Sequence, residues 1–203
     1  MSSAPRQRLS ADVRRQQLES ATIQIIGQDG LSAATAESIA RAAGVSKGLL
    51  WRYYNDLEDL LLSAGRRALA TLEAAVASDT DMDADVTELF RSAIHRAATL
   101  PATHPAELQA IRHIAIGLRP HVPETTLRAN EYRELHARQA ALIARGQADG
   151  HLRPGLDPHL LAVTYQGMVD SMLDYLHSDP TLDPRTVADH VADVLLAGIS
   201  TPH

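Results

Sequence analysis

The stretch SKGLLWRYY, residues 46–54, gathers chemistry that the rest of the chain lacks. It holds the only lysine, Lys47, the only tryptophan, Trp51, and two of the five tyrosines, Tyr53 and Tyr54. On a helical wheel of about 100° per residue, Leu50 and Tyr54 share the inward side. Lys47, Gly48, Trp51 and Arg52 share an adjoining arc that turns progressively outward; Leu49 also points out, and Tyr53 lies on the opposite flank. Such a surface suits a nucleic-acid duplex. Lysine can reach a base edge or a phosphate, glycine lets backbone come close, and aromatic N–H and O–H groups can donate to phosphate oxygens.

A face of this kind works only if neighbouring elements hold it out. Upstream lies AGVS, in which a small residue, a glycine tolerant of positive φ and an apolar residue that tucks underneath are supplied by Ala43, Gly44 and Val45. Two short helices joined in this way form a helix-turn-helix, whose second helix enters the DNA major groove. The first of the pair is expected from about Thr35 to Ala43, and Ser46 caps the second, which runs through Tyr54. A longer helix precedes them, capped by Ser10 and stopped near Gly30. Asn55 and Glu58 resemble a capping box for a fourth, reaching about residue 78 with Leu57, Leu60, Leu61, Ala64, Ala68, Leu72 and Ala75 on one stripe. Further amphipathic helices are expected at about 84–100, 105–118, 123–149, 158–177 and 184–199, separated by turn signals that include Pro101. Alanine and leucine dominate, and period-2 alternation is nowhere sustained. The fold class is all-α, with about nine helices.

GLSAATAESIARAAGVSKGLLWRYYNDLEDLL resembles the N-terminal DNA-binding domain of the TetR family of transcriptional regulators. That signature reads approximately T-x-x-x-I-A-x-x-A-G-V-S-x-G-x-L-Y-x-Y-F-x-x-K-x-x-L. Thr35, Ile39, Ala40, Ala43, Gly44, Val45, Ser46, Gly48, Leu50, Tyr53 and Leu60 match as they stand. The resemblance covers about residues 10–62 and implies roles one by one. Thr35 and Ser46 match family phosphate contacts, Lys47 and Gly48 the positions that read base edges, and Tyr53 a phosphate-contacting Tyr or His. Trp51 stands where the family usually has tyrosine, and Leu57 replaces a phosphate-contacting lysine.

Charge agrees with this division. Net charge is −6, yet residues 1–54 carry +3 and the remainder −9, a mildly basic head on an acidic body. The absence of cysteine excludes disulfides and thiolate chemistry. The N-terminus has no apolar core of a secretory signal, and no run approaches the roughly 18 apolar residues of a membrane span, so a cytoplasmic protein is expected. All ten histidines lie beyond residue 94, but none falls in H-E-x-x-H or H-x-x-x-H spacing, and no metal or other cofactor is expected. His95 falls opposite the apolar stripe of its helix and is expected to be solvated. DTDMDAD, residues 79–85, lacks the glycine and the bidentate glutamate of a calcium loop and reads as a solvated linker.

These observations assign residues 1–54 to a helix-turn-helix DNA-binding domain and 55–203 to a helical effector-binding and dimerisation domain. Polar tips within an apolar lining are what a small-molecule pocket uses for orientation. On that ground Tyr132, His136 and Gln139, with Tyr165, Met168 and Met172, are candidate effector residues. The wide apolar faces of the last two helices suit pairing across a twofold axis. The expected function is a homodimeric, ligand-responsive transcriptional regulator, a repressor, on a near-palindromic DNA operator. An all-α enzyme or a protein-binding helical module is the alternative, but neither explains the face at 46–54, and no catalytic motif is present.

Overall fold

The computed structural model describes residues 10–78, 84–117 and 124–201, and the calcium-like stretch 79–85 falls mostly outside them. Among the described residues there are nine α-helices, one short 3-10 turn and no strand. None of these helices is long and apolar enough to cross a membrane. The described residues form two compact units, one within 1–70 and 106–120, the other within 71–105 and 121–203.

In the first unit, α1 (Ala11–Asp29) starts where Ser10 accepts a hydrogen bond from the Val13 N–H, and ends at Gly30 with φ 81°. A 3-10 turn, Leu31–Ala33, leads to α2 (Ala36–Ala42) and α3 (Lys47–Leu50). The helix α4, Leu57–Ala77, begins here and continues into the second unit. Its start differs from the expected capping box by one residue. Asp56 Oδ1 accepts from the Asp59 N–H at 2.8 Å, and Asp59 Oδ2 accepts from the Asn55 N–H at 3.1 Å. The Asn55/Glu58 and Asp56/Asp59 pairs overlap in sequence, and the shorter aspartates make the bonds. The helix α6, Pro105–Gly117, packs here as well. A Cβ at Gly27 would lie 2.7 Å from the Ala106 Cα, so α1 and α6 approach backbone to backbone. Leu18, Ile26, Ile39, Leu50, Leu60, Ala110 and Ile114 form the core.

The second unit holds α5 (Val86–Thr103), α7 (Glu124–Ala148), α8 (Pro158–Ser178) and α9 (Pro184–Ile199). Helix α5 packs on α7, α8 and α9, and α8 packs on α7 and α9. Asp85, Asp157 and Asp183 cap α5, α8 and α9. Pro101, expected in a turn between helices, lies inside α5. It falls in the last turn, where its missing N–H costs a single intrahelical bond. Core side chains include Phe90, Ile94, Ile143, Tyr165, Met172, Leu195 and Leu196. His95, expected to be solvated, is partly exposed and lies 3.0 Å from Asp189, beside an Arg91–Asp193 pair at 2.7 Å, and the two pairs tie α5 to α9.

Candidate nucleic-acid interface

The helix-turn-helix is built by short-range hydrogen bonds. Thr35 caps α2, its Oγ1 accepting from the Ser38 N–H while Ser38 Oγ accepts from the Thr35 N–H. Ala43 is buried, and Gly44 takes φ 65°, a left-handed conformation costly for residues with a Cβ. The Val45 N–H then donates to the Ala40 carbonyl at 2.9 Å, closing the turn. Gln17 of α1 donates to the Ala43 carbonyl at 2.6 Å and pins the turn from behind. Ser46 caps α3 through the Leu49 N–H.

The helix that follows is shorter than expected. It ends at Leu50 rather than Tyr54, and residues 51–53 continue as turns. The Trp51 N–H reaches the Lys47 carbonyl only at 3.4 Å, whereas Arg52 and Tyr53 donate to carbonyls three residues back. The sidedness holds all the same. Lys47, Gly48, Trp51 and Arg52 are exposed, with Trp51 at 40%, while Leu50 (0%) and Tyr54 (6%) are buried. Thr35 and Ser46 are exposed at the two helix starts, and Leu49 and Tyr53 are half-buried at the rim. No atom lies within 4 Å of a Cβ built at Gly48, so the backbone there is open to an approaching ligand. The eight residues expected to meet DNA thus fall within one helix-turn-helix segment, with an exposed cation and open backbone on its second helix and an exposed aromatic in the turn just after it. Leu57, in the first turn of α4, is half-buried.

One polar group in this unit escaped the sequence reading. Glu19 of α1 is only 8% exposed, and its Oε1 accepts hydrogen bonds from the Tyr54 hydroxyl at 2.9 Å and the Ser63 hydroxyl at 2.6 Å. Arg67 lies 3.7 Å from Oε2. Burial, and then the neighbouring carboxylate, raise the Tyr54 phenol well above the ordinary tyrosine range. The available signal was a glutamate on the apolar side of α1, facing partners remote in sequence.

The candidate effector residues divide into two sets. Tyr132 and His136 of α7 stack with ring centroids 5.8 Å apart, and His159 of α8 meets His136 edge-on at 6.1 Å. Gln139 Nε2 donates to Gln166 Oε1 at 3.0 Å, and Gln166 Nε2 donates to Asp170 at 2.8 Å. Gln139 Oε1 is buried and has no partner among the described residues. Burial and His159 lower the His136 pKa, while Asp170 opposes them. Tyr165 instead lies in the α5–α8 packing, its ring edge-on to Phe90 at 4.9 Å, with its phenol pushed up to about 12 by burial. Met172 is buried and Met168 half-buried. The polar tips and the apolar residues therefore lie on different faces of α8, one toward α7 and the other toward α5. His159, Gln166 and Asp170 join the polar set, and their i, i+7, i+11 spacing, which puts them on one helical face, was legible once α8 was placed.

The family described as "Bacterial regulatory proteins, tetR family" matches residues 19–64. "Tetracyclin repressor-like, C-terminal domain" matches residues 83–199, more than half of the chain. A relative from Stenotrophomonas maltophilia, the "HTH-type transcriptional regulator BetI", is 45% identical over 65 residues, which is 32% of this chain and 33% of the relative. The match therefore spans about a third of the length of that regulator. The fatty acid degradation regulator FadR from Bacillus halodurans superposes with a TM-score of 0.76 at 20% identity, covering 97% of each chain. A transcriptional regulator from Saccharomonospora viridis in complex with choline also reaches 0.76, at 17% identity, over 94% of this chain and 100% of that one. Two consecutive matched regions, one over the helix-turn-helix and one over the helical body, show that this chain belongs to the TetR family of bacterial regulatory proteins.

Proposed function

We infer that this protein is a sequence-specific DNA-binding transcriptional regulator, a repressor acting as a homodimer in the cytoplasm and released from its operator by a small molecule. One observation carries the reading: α3 and the turn that follows it present Lys47, Gly48, Trp51 and Arg52 to solvent while Leu50 and Tyr54 anchor the segment from below. In this assignment Lys47 and Gly48 face base edges, and Thr35, Ser46, Trp51, Arg52 and Tyr53 face the backbone, with Leu49 at the rim. The relative's name, a helix-turn-helix transcriptional regulator, supports the reading.

Dimerisation is supported by apolar side chains left in solvent. Leu160 (66%), Val163 and Tyr175 on α8, and Val194 (54%) on α9, are large hydrophobics of the kind that a partner helix pair covers. A twofold dimer places two recognition helices about 34–36 Å apart in successive major grooves, so the operator is near-palindromic.

The effector is assigned to residues 55–203, against the polar set on α7 and α8, with Tyr165, Met168 and Met172 on the apolar face of the same α8 helix. Gln139 Oε1 is an unmet acceptor and Asp170 a carboxylate, so a ligand that donates hydrogen bonds fits better than one that only accepts. The choline-bound structure sharing this fold shows that a regulator of the same architecture accommodates a small organic molecule. By linkage, effector and operator must weaken one another by the same factor.

The test is a mobility-shift titration with the DNA flanking the protein's own gene, using wild type and a Lys47→Ala/Trp51→Ala double variant. The reading expects a shift that the double variant loses. Equal affinity of the two proteins refutes it.

A further inference from the structure

Helix α3 has only four helical residues, and its C-terminal hydrogen bonds are long or revert to three-residue turns. So short an element cannot fix its own direction. Two side chains hold it from beneath. Leu50 is fully buried, but its apolar contacts are non-directional and permit rotation. The second anchor, the Tyr54 hydroxyl donating to Glu19 Oε1 at 2.9 Å, is directional. The same oxygen accepts from Ser63 at 2.6 Å, one turn before Arg67, which lies 3.7 Å from the other carboxylate oxygen. One carboxylate thereby joins α1, the end of the recognition segment and α4.

Packing alone does not require this arrangement. The family signature has phenylalanine where this chain has Tyr54, and a ring without its hydroxyl fills the same volume. Burying a carboxylate is costly unless donors surround it, and here three groups from two other segments do so. A satisfied buried polar network of this type specifies one orientation among several of similar packing energy.

We propose that Glu19 is a positioning residue that sets the rotation of the recognition segment through Tyr54 and ties it to α4 through Ser63, and so governs sequence discrimination rather than overall DNA affinity. The inference rests on the DNA-reading role given to residues 46–54. Lys47 and Trp51 lie within one helical turn of Leu50, so a rotation about that pivot moves both relative to the base edges. Phosphate contacts, being less directional, tolerate it.

The experiment uses the full chain and two probes: a duplex enriched from a random library by the wild-type protein, and random duplex of equal length. Dissociation constants for both, and thermal unfolding, are measured for wild type, Tyr54→Phe, Ser63→Ala, Glu19→Gln and Glu19→Met. Losing one directional hydrogen bond should lower the selected-to-random affinity ratio by about two- to tenfold per protomer in Tyr54→Phe, with random-duplex affinity within about twofold of wild type. Glu19→Gln, whose amide oxygen still accepts from Tyr54 and Ser63, should keep the ratio that Glu19→Met loses. An unchanged ratio in Tyr54→Phe and Glu19→Met overturns the proposal. So does a parallel fall in both affinities together with the melting temperature, the mark of a merely structural role. If Tyr54→Phe fails to fold, the pair Glu19→Gln and Glu19→Met decides by the same ratio. If wild type enriches no sequence at all, the DNA-reading role itself fails and the proposal with it; enrichment by wild type with an unaltered ratio in the variants refutes the positioning role alone.

Discussion

Lys47→Ala separates function from stability sharply. Lys47 is exposed at the first position of α3 and makes no ion pair among the described residues. Alanine is the better helix former, and exposed substitutions away from special features shift stability by no more than about 0.5 kcal/mol. The melting temperature should therefore stay within about 1–2 °C of wild type. DNA binding should respond quite differently. A good base-edge contact discriminates by about 1–3 kcal/mol. A dimer presents the lysine twice, which makes about 2–6 kcal/mol, or a loss of roughly 30-fold to 10⁴-fold on a selected operator. Fluorescence anisotropy on selected and random duplexes, each at several salt concentrations, measures this. The base-reading role expects the loss to fall on the selected duplex and the discrimination to relax. Equal losses on both duplexes, with the salt slope shallower by about two per dimer, would make Lys47 a phosphate anchor and refute the reasoning. No loss on either would remove it from the interface.

Leu57→Lys restores the signature's cation in the first turn of α4; it should tighten binding to all duplexes and steepen the logarithmic salt dependence by about 0.9 per added contact, which a salt titration reads. Leu160→Asp with Val194→Asp places charge on two exposed apolar positions and should leave a folded monomer by light scattering, with operator affinity lost and helicity kept. Tyr165 holds its proton more tightly folded than unfolded, so the stability tied to that proton is complete below about pH 10 and is lost as pH rises through about 12. The difference corresponds to roughly 3 kcal/mol, and Tyr165→Phe, which keeps the ring against Phe90, should flatten that alkaline decline in denaturant titrations.

What could be read from the sequence was set by short-range chemistry. Ser10, Thr35, Ser46 and the left-handed Gly44 act within four residues, so the start of α1, the helix α2, the turn and the start of α3 were legible. The early end of α3 was not. The periodicity of LLWRYY fits a continuing helix, and the local turns that replace it leave the inward spacing of Leu50 and Tyr54 unchanged. Glu19 was invisible for another reason: its two hydrogen-bond donors lie 35 and 44 residues away. Helix α6 joins the first compact unit through small residues, Gly27 against Ala106 and Gly65 against Ile114, and small residues at a close approach carry no directional pattern. In the body, periodicity placed α7 and α8 correctly, yet it could not show that Gln139 meets Gln166 while Tyr165 turns toward Phe90.

Two departures from the family signature fall three residues apart, and their physical effects point the same way. At position 57 a surface cation is absent, which removes a contact that every DNA sequence would satisfy equally. At position 54 a hydroxyl is added inside the unit, where it bonds a buried carboxylate and cannot touch DNA. If position 57 contacts phosphate as the resemblance implies, the first would lower the sequence-independent part of the binding free energy. The second, through the positioning role proposed for Glu19, narrows the orientations of the segment that reads bases, so less ordering remains to be done at a cognate site. On the DNA-reading role proposed for residues 46–54, both would raise the ratio of specific to nonspecific affinity without requiring a tighter cognate complex. A head of only modest positive charge on an acidic body is the electrostatic setting in which such a ratio, rather than bulk attraction to phosphate, must do the discriminating.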